Sequence, residues 1–294
     1  MKKKEFLFQA IVTIAFLLIC FCVLFPFLLL LSTSVTSESS LMEEGFKLIP
    51  KVFSLDAYRF VFADPRVVIR AYIVTATFSF IVMVVGTFLM ALIAYPISRR
   101  TFKYRKALSF YIYFTMLFSG GLVPSYILNT QYLGLTDSIW VYILPSLINV
   151  WYVFVLRSFF QDLPESIFES ARIDGAGEMR VFLQIALPLS KPALASVMLF
   201  VFLIHWNDWQ NSLLYINDER LISLQYLLQR ILNQAELLMN MGESGMGAVV
   251  DVTKIPNETA KMAMAVVVAG PALIIFPFFQ KYFVKGLTVG GVKG

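Results

Sequence analysis

The chain has 294 residues, of which 59% are hydrophobic and only 15% charged, with a mean hydropathy of +0.75. A soluble domain of this length has no use for so much apolar surface, so the composition excludes a water-soluble enzyme or binding module and points to a polytopic membrane protein. The formal net charge is +5, and where those cations fall matters more than their sum.

Lys2, Lys3 and Lys4 precede an apolar run over about 9–31. The run is longer than the core of a signal peptide, and no small-x-small cleavage site follows it, so it reads as an uncleaved first span with its lysines on the cytoplasmic side. Cys20 and Cys22 lie inside this run, too close on one helix to form a useful staple, and read as small apolar side chains. Residues 32–68 are polar, and the apolar spacing over 55–62 predicts a short surface helix.

A second span is expected over about 68–96. Arg99, Arg100, Lys103, Arg105 and Lys106 follow with no acid among them, which places this loop inside and suits an anchor on anionic lipid headgroups. A nucleic-acid interface is a poor reading of a short loop pinned between two spans. The third span, about 107–128, is interrupted by Ser119, Gly120, Gly121 and Pro124. Such breaks are tolerated where neighbours or a water-filled cavity satisfy the backbone, so an ordinary kink and a bend beside a transport path both stand. A fourth span is expected over about 138–160, a fifth over 193–215 and a sixth over 262–283. Lys281, Lys285 and Lys293 place the C-terminal segment, 284–294, inside. The long outer loop between spans five and six carries a helical pattern over 221–238, which suits a cap on the spans or a surface for a partner protein. The chain is therefore expected to be a single all-α transmembrane domain of six helices, with both termini inside.

The polar stretch 166–188 lies between spans four and five, within an inner loop over about 161–192. Pro164 opens a short helix, Gly175 bends or ends it, and Val181, Phe182, Ile185 and Leu187 form a second stripe stopped by Pro188. Two short helices hinged at Gly175 make a polar knob that suits docking to another protein. Glu169, Ser170, Ala171, Gly175, Ile185, Leu187 and Pro188, with Asp174 and Ala176 flanking the glycine, resemble the EAA loop of bacterial ABC-importer permeases, with Ser170 in place of the usual middle Ala. The resemblance implies a coupling helix seated in a groove of a cytoplasmic ATPase, and the type I ABC importer permease fold.

His205, Trp206, Asn207, Asp208, Trp209, Gln210 and Asn211 fall in the outer half of the fifth span. Polar groups in a membrane segment are costly unless they face water or partners. Indole faces stack on sugar rings while amides and carboxylates bind hydroxyls, so His205, Trp206, Asn207, Asp208, Trp209 and Asn211, with Gly120 and Gly121, are candidates for a sugar path. An interfacial aromatic belt is the competing reading. The Trp-Asn-Asp-aromatic run is also similar to the fifth span of sugar permeases. The acid-free tail, with Gly290, Gly291 and Lys293, resembles that of the smaller permease subunit of maltose-type importers, which implies a reach into the ATPase interface.

With one His there is no metal-ligand cluster, and no Gly-x4-Gly-Lys loop could cradle a nucleotide. The chain is expected to bind no cofactor, with ATP and Mg held by partner subunits. The resemblance implies one half of a permease pair importing a di- or oligosaccharide by alternating access. Its partners would be a homologous permease, two cytoplasmic ATPases, an extracytoplasmic solute-binding protein, the carbohydrate and membrane lipid, with no nucleic acid, in a bacterial plasma membrane. An ion-coupled secondary transporter would need ionisable groups deep in several spans, and a membrane enzyme would need converging polar groups at one membrane face. For the first, the spans offer essentially His205 and Asp208, both in one span, so it stands as the alternative; the single His and the lack of an acid cluster or nucleophile motif argue against the second.

Overall fold

Each apolar run of the sequence folds as a helix, because a backbone out of water must satisfy its own polar groups. The computed structural model describes residues 2–243 and 258–290. Among them helices joined by turns and loops are the only regular elements, with one isolated antiparallel bridge between Thr36 and Phe53. Three helices are long and apolar enough to cross a membrane, and candidate spans rise to six if each of three sharply bent helix pairs counts as one.

The described residues form two compact units. The first contains residues 2–68, 228–243 and 258–270. Its helix α1 (Lys2–Ser34) carries a long apolar stretch whose side chains from Ile11 to Leu28 are almost all exposed, while Ser32, Thr33 and Ser34 at its end are buried. At its polar end the Ser34 hydroxyl meets Tyr58 at 2.9 Å, and Ser32 donates to the Lys47 carbonyl at 2.8 Å. Ser37 caps α2 (Glu38–Glu44), and α3 (Asp56–Val61) is the short helix that the spacing over 55–62 predicts. The Glu38 carboxylate accepts from the backbone of Glu258 and Thr259 and from the Thr259 hydroxyl, closing the open N-terminus of the last helix, Glu258–Gly290.

The second unit contains Ile69–Leu227 and residues 271–290. Helix α4 (Pro65–Ser98) includes a wider, π-helical turn at Val82–Gly86. Its second half packs on α8 (Val150–Gln161), with Met90, Ala91, Ala94 and Ile97 buried opposite Val153, Leu156 and Phe160. Small residues let such helices approach closely. The expected third span is two helices, α5 (Arg105–Leu117) and α6 (Leu122–Tyr132), bent by 106°. Gly121 sits at the corner with φ +83°, a conformation that a side chain would strain. The fourth is likewise α7 (Trp140–Ser146) and α8, bent by 47°, with Asn149 capping α8 by accepting from the Trp151 N–H at 3.0 Å.

The inner-loop pattern appears as α9 (Glu165–Ile173) and α10 (Glu178–Leu189), separated by Gly175 at φ +78°. Helix α11 (Lys191–Trp206) meets α10 at 79°. The stretch expected as a fifth span, about 193–215, is not one helix. The chain breaks after Trp206 and resumes as α12 (Gln210–Tyr215). The Asp208 carboxylate takes the Asn211 N–H at 3.1 Å and so starts the new helix instead of extending the old one. Helix α13 (Leu224–Glu243) follows, its first turn capped by the Ser223 hydroxyl.

Candidate functional site

Two places carry the chemistry: the α9–α10 loop and the α11–α12 break. In the loop, α9 is amphipathic, with Phe168 and Ala171 turned inward. Glu169, Ser170, Asp174 and Gly175 are exposed, and Ile173 is 85% exposed. Ala176 folds back, its N–H bonding the Ala171 carbonyl at 2.9 Å. Ile185 and Leu187 are half-buried on α10, and Pro188 precedes its end. The structure thus brings Glu169, Ser170, Asp174 and Gly175 together as a polar, solvent-facing knob, while Ala171 serves its packing.

Residues that the sequence did not connect with the knob hold it. The Tyr95 hydroxyl donates to Glu178 at 3.0 Å. Arg99 forms an ion pair with Glu165, and its guanidinium lies 3.7 Å from the centre of the Phe168 ring. Arg172 reaches Glu178 at 3.0 Å, Glu165 at 3.8 Å and the Thr101 hydroxyl at 3.5 Å. Tyr95 packs among Phe160, Phe168 and Phe182. Arg99 therefore leaves the cation cluster in which the sequence placed it: it is 4% exposed and cannot reach headgroups. Its carboxylate partner is distant in sequence, and no local spacing announces the pair. A cavity of about 450 Å³ opens beside this network, lined by Leu92, Pro96, Phe102 and Met179 among others.

At the α11–α12 break, His205, Asn207, Asp208, Trp209 and Asn211, with Ile204 and Gln210, line a cleft of about 300 Å³. Trp206 faces elsewhere. It is 3% exposed and packs on Phe202 and Tyr72, with ring centres 5.4 and 6.2 Å away. Trp209 is 39% exposed. The Asp208 carboxylate also accepts from the Asn211 side chain at 2.6 Å. His205 lines a second cavity of about 200 Å³, with Asn149 and Tyr152. Gly120 and Gly121 sit at the α5–α6 corner and do not line the cleft. An indole, amides and a carboxylate around a small cleft can bind a polyol, and the lining residues include no Ser, Thr or Cys nucleophile.

The break is held from behind by a buried polar chain. The Tyr142 hydroxyl bonds Ser212 and donates to the Leu221 carbonyl at 2.9 Å. Ser212 donates to Ser223 at 3.0 Å, and Ser223 donates to the Asp208 carbonyl at 2.6 Å. Between α6 and α7, Asp137 accepts from the backbone N–H groups of Asp218 and Asn217, which hold its carboxyl below the usual carboxylate range. Gly290 is the last residue of the helix Glu258–Gly290, while Gly291 and Lys293 lie outside the described residues.

No family model matches the chain. The polygalacturonan/rhamnogalacturonan transport system permease protein YtcP of Bacillus subtilis is 40% identical over 274 residues, covering 93% of this chain and 93% of that protein. The trehalose/maltose transport system permease protein MalG of Thermococcus litoralis is 28% identical over 302 residues, covering 99% of each. Among solved structures, a bacterial ABC transporter involved in the import of the acidic polysaccharide alginate superposes with a TM-score of 0.77 at 26% identity, covering 95% of this chain and 98% of the matched chain.

Proposed function

The chain belongs to the permease subunits of carbohydrate ABC importers, and on that premise we propose how its parts serve the import. It is a multi-pass membrane protein without an ATPase site of its own, and separate subunits hydrolyse the ATP. In our reading the three long helices and three bent pairs are six spans of one type I permease domain, with both termini cytoplasmic. The partners are a homologous permease, two ATPases holding ATP and Mg, and an extracytoplasmic solute-binding protein. This chain binds no cofactor.

The observation that carries the reading is the exposed knob on a rigid base. Glu169, Ser170, Asp174 and Gly175 face solvent while Phe168 and Ala171 lock α9 from beneath. We assign this loop, with Ala171, Ala176, Ile185, Leu187 and Pro188, as the EAA coupling loop that meets the ATPase. The tail with Gly290, Gly291 and Lys293 is assigned to the ATPase interface. ATP binding would draw the loops together and turn the permease pair outward, and hydrolysis would reset it.

The cleft of His205, Asn207, Asp208, Trp209 and Asn211 is the proposed sugar contact, with Trp206 as its packed support and Gly120 and Gly121 as the bend that shapes the path. The substrate is a di- or oligosaccharide. The names of two relatives, polygalacturonan/rhamnogalacturonan and alginate, favour fragments of an acidic polysaccharide. The test is a pulldown of the tagged chain from solubilised native membranes with mass spectrometry of its companions. A second permease with an ATPase supports the reading, and a chain that stays alone after crosslinking in the membrane overturns it. A recovered binding protein would be screened with uronide and neutral oligosaccharides.

A further inference from the structure

The loop is chained to α8 and α11 through the backbone, yet its side-chain attachments run to a third element. Glu165 and Glu178 are the first residues of α9 and α10, one on each arm of the Gly175 turn. Both are held from the end of α4. Arg99 grips Glu165 and covers the face of Phe168, and Tyr95, four residues earlier, donates to Glu178. Arg172 ties the two arms to each other and to Thr101, just past the end of α4.

This attachment is costly to break. Arg99 is almost fully buried, and its Nε has no hydrogen-bond partner. Pulling Glu165 away would leave a buried guanidinium without its counter-charge, a much larger penalty than loss of a surface ion pair. Phe168 would also lose both the cation on its face and the packing of Tyr95. A loop displaced by a partner therefore carries the end of α4 with it and does not slide past it, as packed interfaces move in discrete steps.

We propose that Arg99 and Tyr95 are positioning residues that make α4 the helix through which displacement of the α9–α10 loop enters the transmembrane core. Helix α4 is well placed for that output. Its second half packs on α8, and its Tyr72 and Thr75 contact Trp206 and the Leu224 N–H beside the α11–α12 break. The inference rests on the reading that this loop meets the ATPase.

The test uses the whole importer in vesicles, with its binding protein and sugar, and measures sugar imported per ATP hydrolysed. Arg99→Ala and Glu165→Gln should still assemble with the ATPase and hydrolyse ATP, while sugar per ATP falls roughly tenfold. The double variant should be no worse than either single one, because both remove the same link. Tyr95→Phe keeps the ring packing and should lower the ratio in the same direction. If import and hydrolysis fall in proportion in all variants, the clamp is only scaffold and the inference is overturned. The ratio staying at the wild-type value also overturns it. Glu169→Lys, on the exposed face, separates the two readings. If it disturbs ATPase binding while the Arg99 and Glu165 variants keep the wild-type ratio, only the clamp fails. If it leaves uptake and ATPase binding unchanged, the docking assignment fails.

Discussion

A Cβ built on Gly86 would stand 2.9 Å from the carbonyl oxygen of Leu147. That oxygen belongs to the backbone between α7 and α8, so it cannot swing aside as a side chain would. Gly86 closes the π-helical turn of α4, and here the turn and the close approach coincide. Gly86→Ala should cost about 1–3 kcal/mol by overpacking, and Gly86→Val more. Thermal unfolding of the purified chain in detergent would show this as a lowered midpoint, and an unchanged midpoint for Gly86→Val would refute the contact.

Tyr142→Phe removes the hydroxyl between Ser212 and the Leu221 carbonyl but keeps the ring stacked on Phe78, with centres 4.4 Å apart. Buried partners left unpaired make this a loss of about 1–3 kcal/mol. Hydrogen exchange should rise first over residues 208–224, which the polar chain ties together. Uniform exchange across all helices would contradict a local role.

Asp137 sits at φ +52° and accepts the backbone N–H groups of Asn217 and Asp218. Its folded pKa is depressed from the ordinary 3.8, so the stability it contributes is present above that value and is lost as pH falls through the folded pKa. Lowering the pH past 3.8 should loosen the segment around 216–221, and Asp137→Ala should loosen it at neutral pH. Limited proteolysis or hydrogen exchange of that segment reads both. Asp137→Asn keeps an acceptor and tolerates the positive φ, so it should remove the pH dependence while holding the turn at neutral pH.

The two indoles of the α11–α12 break should respond differently. Trp206→Ala removes a buried ring from Tyr72 and Phe202, costs about 3–5 kcal/mol and lowers the amount of folded chain. Trp209→Ala and Asn207→Ala, at the cleft, should leave the amount of assembled importer near wild type and raise the sugar concentration needed for half-maximal uptake. Equal loss of folded protein in Trp209→Ala would assign that ring to packing as well.

The sequence by itself determined the features that local chemistry writes into adjacent residues. Apolar length marked the long helices, Gly120, Gly121 and Pro124 marked the break between α5 and α6, and Pro164 and Gly175 marked the ends of α9. The loop pattern around Glu169 and Gly175 was legible for the same reason. Tertiary structure alone decided which polar groups are paired. Arg99 looked like one of five loop cations, yet it is buried against Glu165 and Phe168, and Glu38 caps a helix that begins at Glu258. Trp206 and Trp209 look alike in the motif, but the helix break after Trp206 turns one ring into the core and the other to the cleft. Local propensity spans a few residues, whereas the cost of burying a charge or an indole is set by whatever distant segment arrives to meet it.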